Sequence, residues 1–141
     1  MKVTTKRAVD LRPGKALPVS EKTFSSADLI MYGAATWDWH RLHHDDAFAR
    51  EMGLPAPVID GQVHGALFAK QAIAWLGPKA FVRRLNLRMR KMAFAGESLR
   101  IEGRVSEVCH GGDRNTVVLQ QQLMNGDDIV AEATTEVQLP E

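Results

Sequence analysis

Hydrophobic residues recur with a helical period in the first half of the chain and alternate with polar residues in the second half. The first predicted helix begins after Ser25, a favoured N-cap residue, and runs to Thr36. A second, short helix follows Asp45-Asp46, where negative charge suits the positive end of the helix dipole.

The longest predicted helix extends from Gly61 to Leu76 and is stopped by Gly77-Pro78. Its apolar residues surround almost the whole circumference, which is typical of a buried helix. At the usual rise per residue this helix is about 24 Å long.

The period changes to two at Phe81, and the remaining chain contains four predicted strands. A weaker strand signal covers residues 17–23. One buried helix followed by four antiparallel strands predicts an α+β fold in which the sheet wraps around the helix. The predicted turns between the strands are Ala95-Gly96-Glu97, Gly111-Gly112-Asp113 and Asn125-Gly126-Asp127, of which Asn-Gly is the strongest hairpin signal.

Length and composition predict a single domain over residues 1–141, with residues 1–15 as a polar extension on the surface. The net charge of +1 gives no reason to expect a nucleic-acid or membrane partner. A single cysteine, Cys109, excludes an intrachain disulfide and favours a reducing compartment. The N-terminus has no apolar signal segment, and no apolar run is long enough to span a bilayer. We therefore expect a cytoplasmic protein without a cofactor.

An aspartate and three histidines lie within seven residues: Asp38, His40, His43 and His44. This cluster precedes a glycine at the start of the long helix. Aspartate and histidine move protons, and a glycine N–H at a helix start holds a developing oxyanion. The combination suits chemistry on a carbonyl compound.

From about Leu11 to Val137 the chain resembles the MaoC-like dehydratases of the hotdog fold. The family pattern is Asp-x-Asn-Pro-x-His, followed after about eighteen residues by His-Gly at the start of the central helix. Asp38 and His43 match its catalytic pair, and Gly61 follows His43 by eighteen residues. Three positions depart from the pattern: His40, Arg41 and Asp60 replace its Asn, Pro and His.

The resemblance implies hydration of an enoyl thioester, or the reverse dehydration, with acyl-CoA or acyl carrier protein as the carrier. Asp38 and His43 share acid–base catalysis on a water molecule, and the Gly61 N–H holds the thioester oxygen. Gly65 is an alternative, because Val-His-Gly-Ala-Leu also matches the helix motif. His40 and Arg84 are candidate substrate-binding residues, and Arg84 belongs to a basic stretch that suits either CoA phosphates or an ordinary solvated strand.

Other interpretations of these residues remain open. His40 and His44 have the spacing of zinc ligands on a helix, but no HExxH pattern and no second ligand cluster accompany them, so we expect no metal. His44 and Asp45 suit a surface or helix-capping pair. Cys109 beside His110 is a conceivable nucleophile, although a turn position favours an incidental pair.

Two further functions come from different classes. In the first alternative, the chain is a non-catalytic or half-site subunit that completes the site of another MaoC-like chain. In the second alternative, it is a hotdog thioesterase. The thioesterase ranks low, because such enzymes often use a carboxylate on the central helix and residues 61–76 contain none. The fold implies a homodimer or higher oligomer, or a heteromer with a second MaoC-like chain, since its sheet has an open edge.

Overall fold

The structure is a computed structural model that describes residues 4–111 and 114–140. The predicted turn at Gly111-Gly112-Asp113 therefore lies partly outside the described residues. Single 3₁₀ turns occur at Ala8–Asp10 and Arg41–His43. The helices are α1 Ser26–Thr36, α2 Asp46–Glu51 and α3 Gly61–Leu76, and the strands are β1 Ser20–Thr23, β2 Phe81–Met89, β3 Ser98–Cys109, β4 Asn115–Asn125 and β5 Asp128–Leu139.

The five strands form one sheet in the order β1-β3-β4-β5-β2, and every pairing is antiparallel. Helix α3 contacts β2, β3, β4 and β5. The predicted α+β hotdog arrangement, a sheet around one long helix, is therefore confirmed. The predicted hairpin at Asn125-Gly126 is also present, with Gly126 at a φ of 57°.

Strand alternation places one face of the sheet against α3, and the apolar residues on this face are buried. They form two clusters, one at each end of the helix. The first surrounds Val63 and Phe68, and the second surrounds Ala72 and Leu76. The buried strand residues that the alternation predicted include Leu99, Ile101, Val105, Val117, Leu119, Leu123, Ala131, Ala133 and Val137.

Helix α3 is buried on one face only, so the prediction of a helix buried all round is wrong for the single chain. Ala66, Lys70, Ile73 and Ala74 are exposed, and Ile73 retains 41% of its accessible surface. The sheet has five strands and covers only one side of the helix. Among the described residues no helix is both long and apolar enough to cross a membrane.

The described part of the N-terminal segment is mostly exposed, as predicted, but two of its residues anchor it in the core. Ala8 and Leu11 are buried in the second core cluster. The Lys6 N–H donates a hydrogen bond of 2.7 Å to the Leu76 carbonyl at the end of α3. Its apolar residues are few and widely spaced, so the segment has no periodic signal in the sequence. Ala8 and Leu11 are buried because they pack against the core cluster at the end of α3.

A buried amide network ties α3 to the sheet. Gln121 on β4 donates from Nε2 to the Phe68 carbonyl at 2.9 Å and to Gln71 Oε1 at 2.8 Å. Thr135 on β5 donates its hydroxyl to Gln121 Oε1 at 2.7 Å. Gln71 in turn donates to the carbonyls of Ile101 and Pro18, both at 3.0 Å. Buried polar groups are costly unless they are paired, so these bonds select one position of the helix on the sheet.

We expect Thr135→Val to destabilise the fold by about 1–3 kcal/mol, because it preserves shape but leaves Gln121 Oε1 without its hydroxyl donor. The matched control is Thr134→Val. It removes a hydroxyl on the solvent-facing side of β5 that donates to Gln120 on β4. Its effect should stay within about 0.5 kcal/mol. Urea unfolding measures both changes, and equal losses in the two variants would contradict the role of the network.

Candidate active site

The end of α1 places Asp38. Trp37 ends the helix in the left-handed conformation, with a φ of 60°, and the Asp38 N–H then donates to the Gly33 carbonyl at 3.0 Å. A side chain at position 33 would put its Cβ 2.7 Å from the Asp38 carbonyl oxygen, so the close approach needs glycine. Asp38 Oδ1 accepts the His40 N–H at 3.1 Å, which orients the carboxylate.

His43 lies in the 3₁₀ turn that follows, and this turn begins with His40 as its cap. The His43 ring contacts the Val58 carbonyl through Nδ1 at 2.7 Å. A carbonyl only accepts hydrogen bonds, so Nδ1 carries the proton and Nε2 of the neutral ring is a free base. The Val58 N–H donates back to the Leu42 carbonyl at 2.8 Å, so both sides of Val58 hold the turn.

Two backbone hydrogen bonds attach the segment before α3 to residues 93–95. Ile59 donates its N–H to the Ala93 carbonyl at 2.8 Å, and the Ala95 N–H donates to the Pro57 carbonyl at 2.9 Å. Asp60 is the N-cap of α3, and its Oδ1 accepts the Gln62 N–H at 2.8 Å. These bonds bring the start of the helix to the turn that carries His43.

Asp38, His43 and Asp60 meet in one cluster, in which one polar atom from each side chain lies within 4.8 Å of the others. The structure thus brings the predicted pair together and adds a third group. Sequence reasoning noted Asp60 only as a departure from the motif, although its position before Gly61 was a usable signal. Within the described residues this is also the one group of three such side chains with the spacing of metal ligands.

His64 lies one turn beyond Asp60 and is 2% exposed. Burial lowers the pKa of His64, while the charge of Asp60 acts in the opposite direction. Tyr32 on α1 borders the same region, where burial and then the Asp60 carboxylate raise the pKa of its hydroxyl. His64 is therefore a neutral ring near pH 7, and the sequence analysis assigned no role to it.

The N–H groups of Gly61 and Gly65 differ in availability. Gly61 is the first residue of α3, where backbone N–H groups have no partner within the helix. Gly65 lies beyond the first turn, so its N–H belongs to the helical ladder. A Cβ at Gly65 would contact Leu85 and Leu87 at an ordinary 3.9 Å, which places this glycine against the sheet. Of the two glycines, only Gly61 therefore has an N–H without a partner in the helix.

His40 and Arg84 occupy different environments. His40 is exposed beside the cluster, with its ring centroid 6.0 Å from that of His43, and its Nδ1 accepts the Leu42 N–H. Arg84 lies on the face of β2 that points away from α3, 3.7 Å from Glu136. Its neighbours Arg90 and Lys91 also pair with β5 carboxylates. These pairs fit an ordinary solvated strand face, and substrate binding by His40 or Arg84 stays a prediction.

The remaining histidine predictions concern capping and metal binding. Asp45 caps α2 by accepting the Phe48 N–H, and this bond, followed by the contact with Arg41, lowers the pKa of Asp45. His44 contacts the Trp39 carbonyl through Nε2 at 3.2 Å. The His40–His44 spacing falls on a 3₁₀ turn rather than an α-helix, so it does not form the helical zinc pair that was considered.

A groove of about 670 Å³ runs along α3 beside β1. Along α3 it extends from Val63 to Trp75, which are twelve helical steps or about 18 Å apart. Tyr32 lines the end nearest Asp60, and Lys6, Lys22 and Lys70 contribute the cationic groups among its lining residues. The apolar lining includes Phe24, Tyr32, Val63, Leu67, Ala74 and Trp75.

A family model described as the MaoC-like domain matches residues 5–126. The chain belongs to this family of hydratases and dehydratases. The match covers most of the chain, including Asp38, His43 and Asp60, and agrees with the resemblance that the motif indicated. No curated protein sequence matches the chain significantly.

Solved structures show the same fold. The chain resembles a chain of the ChsH1–ChsH2 complex from Mycobacterium tuberculosis with a TM-score of 0.83 and 21% identity, over 91% of this chain and 98% of that one. For an (R)-hydratase from A. caviae involved in PHA biosynthesis the TM-score is 0.81 and the identity 22%, over 92% of this chain and 98% of that one. For the R-hydratase PhaJ1 from Pseudomonas aeruginosa the TM-score is 0.81 and the identity 24%, over 95% of this chain and 85% of that one.

We expect the free energy of unfolding to depend on pH through His64, at pH values below about 6.5, the ordinary pKa of histidine. Because burial lowers the pKa of His64 in the folded state, the unfolded chain takes up a proton first, and stability falls as the pH decreases. When the pH is lowered from about 7.5 to about 5.5, the free energy of unfolding should therefore decrease less in His64→Leu than in the wild type.

His110→Leu is the matched control for this measurement, since His110 lies at the exposed end of β3. Its loss of stability over the same pH range should equal that of the wild type. Chemical denaturation at both pH values gives the comparison, and an unchanged pH dependence in His64→Leu would refute the prediction.

Proposed function

We propose that this protein is an enoyl-thioester hydratase that also runs as a 3-hydroxyacyl-thioester dehydratase, with acyl-CoA or acyl carrier protein thioesters as substrates. The observation that carries the proposal is the meeting of Asp38 and His43 beside the free N-terminus of α3. His43 presents Nε2 as a base because Nδ1 is bound to Val58. Membership of a family of hydratases and dehydratases supports the same reaction class.

Hydration adds the elements of water across the double bond of a trans-2-enoyl thioester. Asp38 and His43 bind a water molecule and remove one of its protons as its oxygen bonds to C3. The electron pair of the double bond moves toward the thioester oxygen, which the Gly61 N–H and the helix dipole stabilise. The pair then returns a proton to C2, giving the 3-hydroxyacyl product, with (R) configuration if the enzyme follows its family.

The groove beside α3 supports an apolar acyl substituent. Its length of about 18 Å suits a long or bulky acyl group rather than a short one. Tyr32 lines the groove, and the Asp60 carboxylate contributes to the raised pKa of its hydroxyl, which places one end of the groove in the neighbourhood of Asp60. The lysines along it suit an anionic carrier or carboxylate.

The single chain leaves surfaces that support an oligomer. Strand β2 is an edge of the sheet, and Phe81 and Met89 at its two ends are 57% and 62% exposed. Ile73 on α3 is also exposed, and it does not line the groove. We propose pairing along β2 with a second copy or with another MaoC-like chain, and the resemblance to chains from the ChsH1–ChsH2 and HadBC complexes favours testing both. The single cysteine supports a cytoplasmic location.

Purified protein should hydrate crotonyl-CoA or a longer enoyl-CoA, measured as loss of absorbance of the conjugated thioester. Asp38→Asn and His43→Gln should each lower kcat by about 100–10,000-fold, because each removes an acid–base group while preserving shape. The control is His44→Gln, whose ring contacts a backbone carbonyl outside the cluster. It should retain wild-type activity.

Absence of activity in the wild type on short, long and bulky enoyl-CoAs would reject an enzyme that acts alone. Activity that appears only after addition of a second MaoC-like chain, and survives Asp38→Asn, would identify this chain as a non-catalytic partner subunit. A homodimer that is active alone excludes that alternative.

Gly61→Pro should lower kcat by about 100–1,000-fold, because proline removes the N–H that is proposed to hold the oxyanion. Proline is tolerated at the first position of a helix, and Asp60 already has a compatible ψ of 132°. The matched control is Gly61→Ala, which makes the same Cβ contact with the flexible Met89 side chain but keeps the N–H. Equal activity in the two variants would show that this N–H is not the donor.

A further inference from the structure

The buried polar atoms that lack a hydrogen-bond partner are concentrated at one place. Among the described residues there are three such side-chain atoms: Asp60 Oδ2 and both ring nitrogens of His64. Folded proteins satisfy the large majority of buried polar groups, with ordered water where protein partners are missing. Three unsatisfied atoms on two neighbouring side chains therefore indicate a polar occupant that belongs between them.

The position of these atoms connects them to the catalytic pair. Asp60 uses Oδ1 to cap α3, so Oδ2 is the oxygen left for another partner. Its side chain belongs to the cluster with Asp38 and His43, in which the atoms lie within 4.8 Å. Residues 60 and 64 are one helical turn apart and so share a face of α3. A polar occupant beside Asp60 is thus within reach of the acid–base groups.

The charges of the cluster favour an additional role for Asp60. When His43 takes a proton from water, its ring becomes an imidazolium, and a nearby carboxylate stabilises that charge. The titratable groups around Asp60 are Asp38 and His43 from the α1–α2 connection, Tyr32 from α1 and His64 from α3. His64 is neutral near pH 7 and has one N–H donor and one acceptor nitrogen to offer.

We propose that the Asp60 carboxylate is a third catalytic group, which binds the water molecule used in the reaction together with Asp38 and His43 and stabilises the protonated His43. His64 is a positioning residue that holds Asp60 Oδ2 through a shared water molecule. This inference rests on the proposed hydratase function for its catalytic part. The water site itself does not depend on that function.

Kinetics test the catalytic part. Asp60→Asn removes the charge but keeps an N-cap side chain for α3, so the fold should persist. We expect kcat to fall by about 10–100-fold, because a neutral amide no longer stabilises the positive charge that His43 acquires when it takes a proton from water. Asp28→Asn, which removes a carboxylate from the first turn of α1, should leave kcat unchanged.

His64→Leu separates a positioning role from a purely structural one. This variant removes the nitrogen that binds the shared water, so kcat should fall by about tenfold with little change in KM. His64→Gln retains a donor and an acceptor and should recover part of the lost activity. His110→Leu is the exposed control and should change neither quantity. A His64→Leu variant with wild-type kcat would overturn the positioning role.

A high-resolution crystal structure of the wild-type protein tests the water site without reference to activity. The expected result is an ordered water within hydrogen-bond distance of Asp60 Oδ2 and a second contact from His64. Absence of such a water, or a metal ion in its place, would overturn the inference even in an active enzyme. An ordered water in a protein without hydratase activity would support the site and reject only the proposed function. Wild-type kinetics in Asp60→Asn would overturn the catalytic role.

Discussion

The fold depends on the attachment of α3 to the sheet through the buried amide of Gln121. This side chain contacts the Phe68 carbonyl, Gln71 and Thr135, and so joins the helix to two strands. Apolar contacts alone tolerate sliding of a helix along a sheet, because burial is non-directional. Hydrogen bonds in a dry interior do not, since a displaced helix leaves several polar atoms unpaired. Gly103 on β3 leaves room for Gln121, because a Cβ at position 103 would lie only 3.0 Å from Gln121 Cγ.

The position of α3 determines the active site, because the first turn of this helix supplies Asp60 and Gly61. The other half of the site belongs to the connection between α1 and α2, which contains little regular structure. Val58 joins the two halves: its carbonyl holds the His43 ring, its N–H holds the turn, and its neighbour Ile59 is bonded to residue 93. The candidate groups are thus held by backbone hydrogen bonds that start from the helix and the sheet, an arrangement that would preorganise them for the proposed acid–base chemistry.

The same arrangement leaves part of α3 uncovered. A five-stranded sheet encloses one face of a helix, and the N-terminal turn around Ala8 and Leu11 closes one end of the core. The groove lies beside β1, at one edge of the sheet, and β2 forms the other edge.

The sequence by itself determined most of the local elements and indicated Asp38 and His43 as the candidate acid–base pair. The bounds of α3, the start of α1 after Ser25 and the inward strand residues follow from periodicity, capping and turn chemistry, which act over a few residues. Asp38 and His43 were recognisable from their spacing, although their meeting with Asp60 was not. Only the tertiary structure decided that Asp60 lies beside Asp38 and His43, that His64, Gln71 and Gln121 are buried, and that Leu11 is a core residue. The physical reason is distance along the chain: Gln121 and Phe68 are 53 residues apart, and a polar side chain at a core position has no periodic signal that identifies its partner.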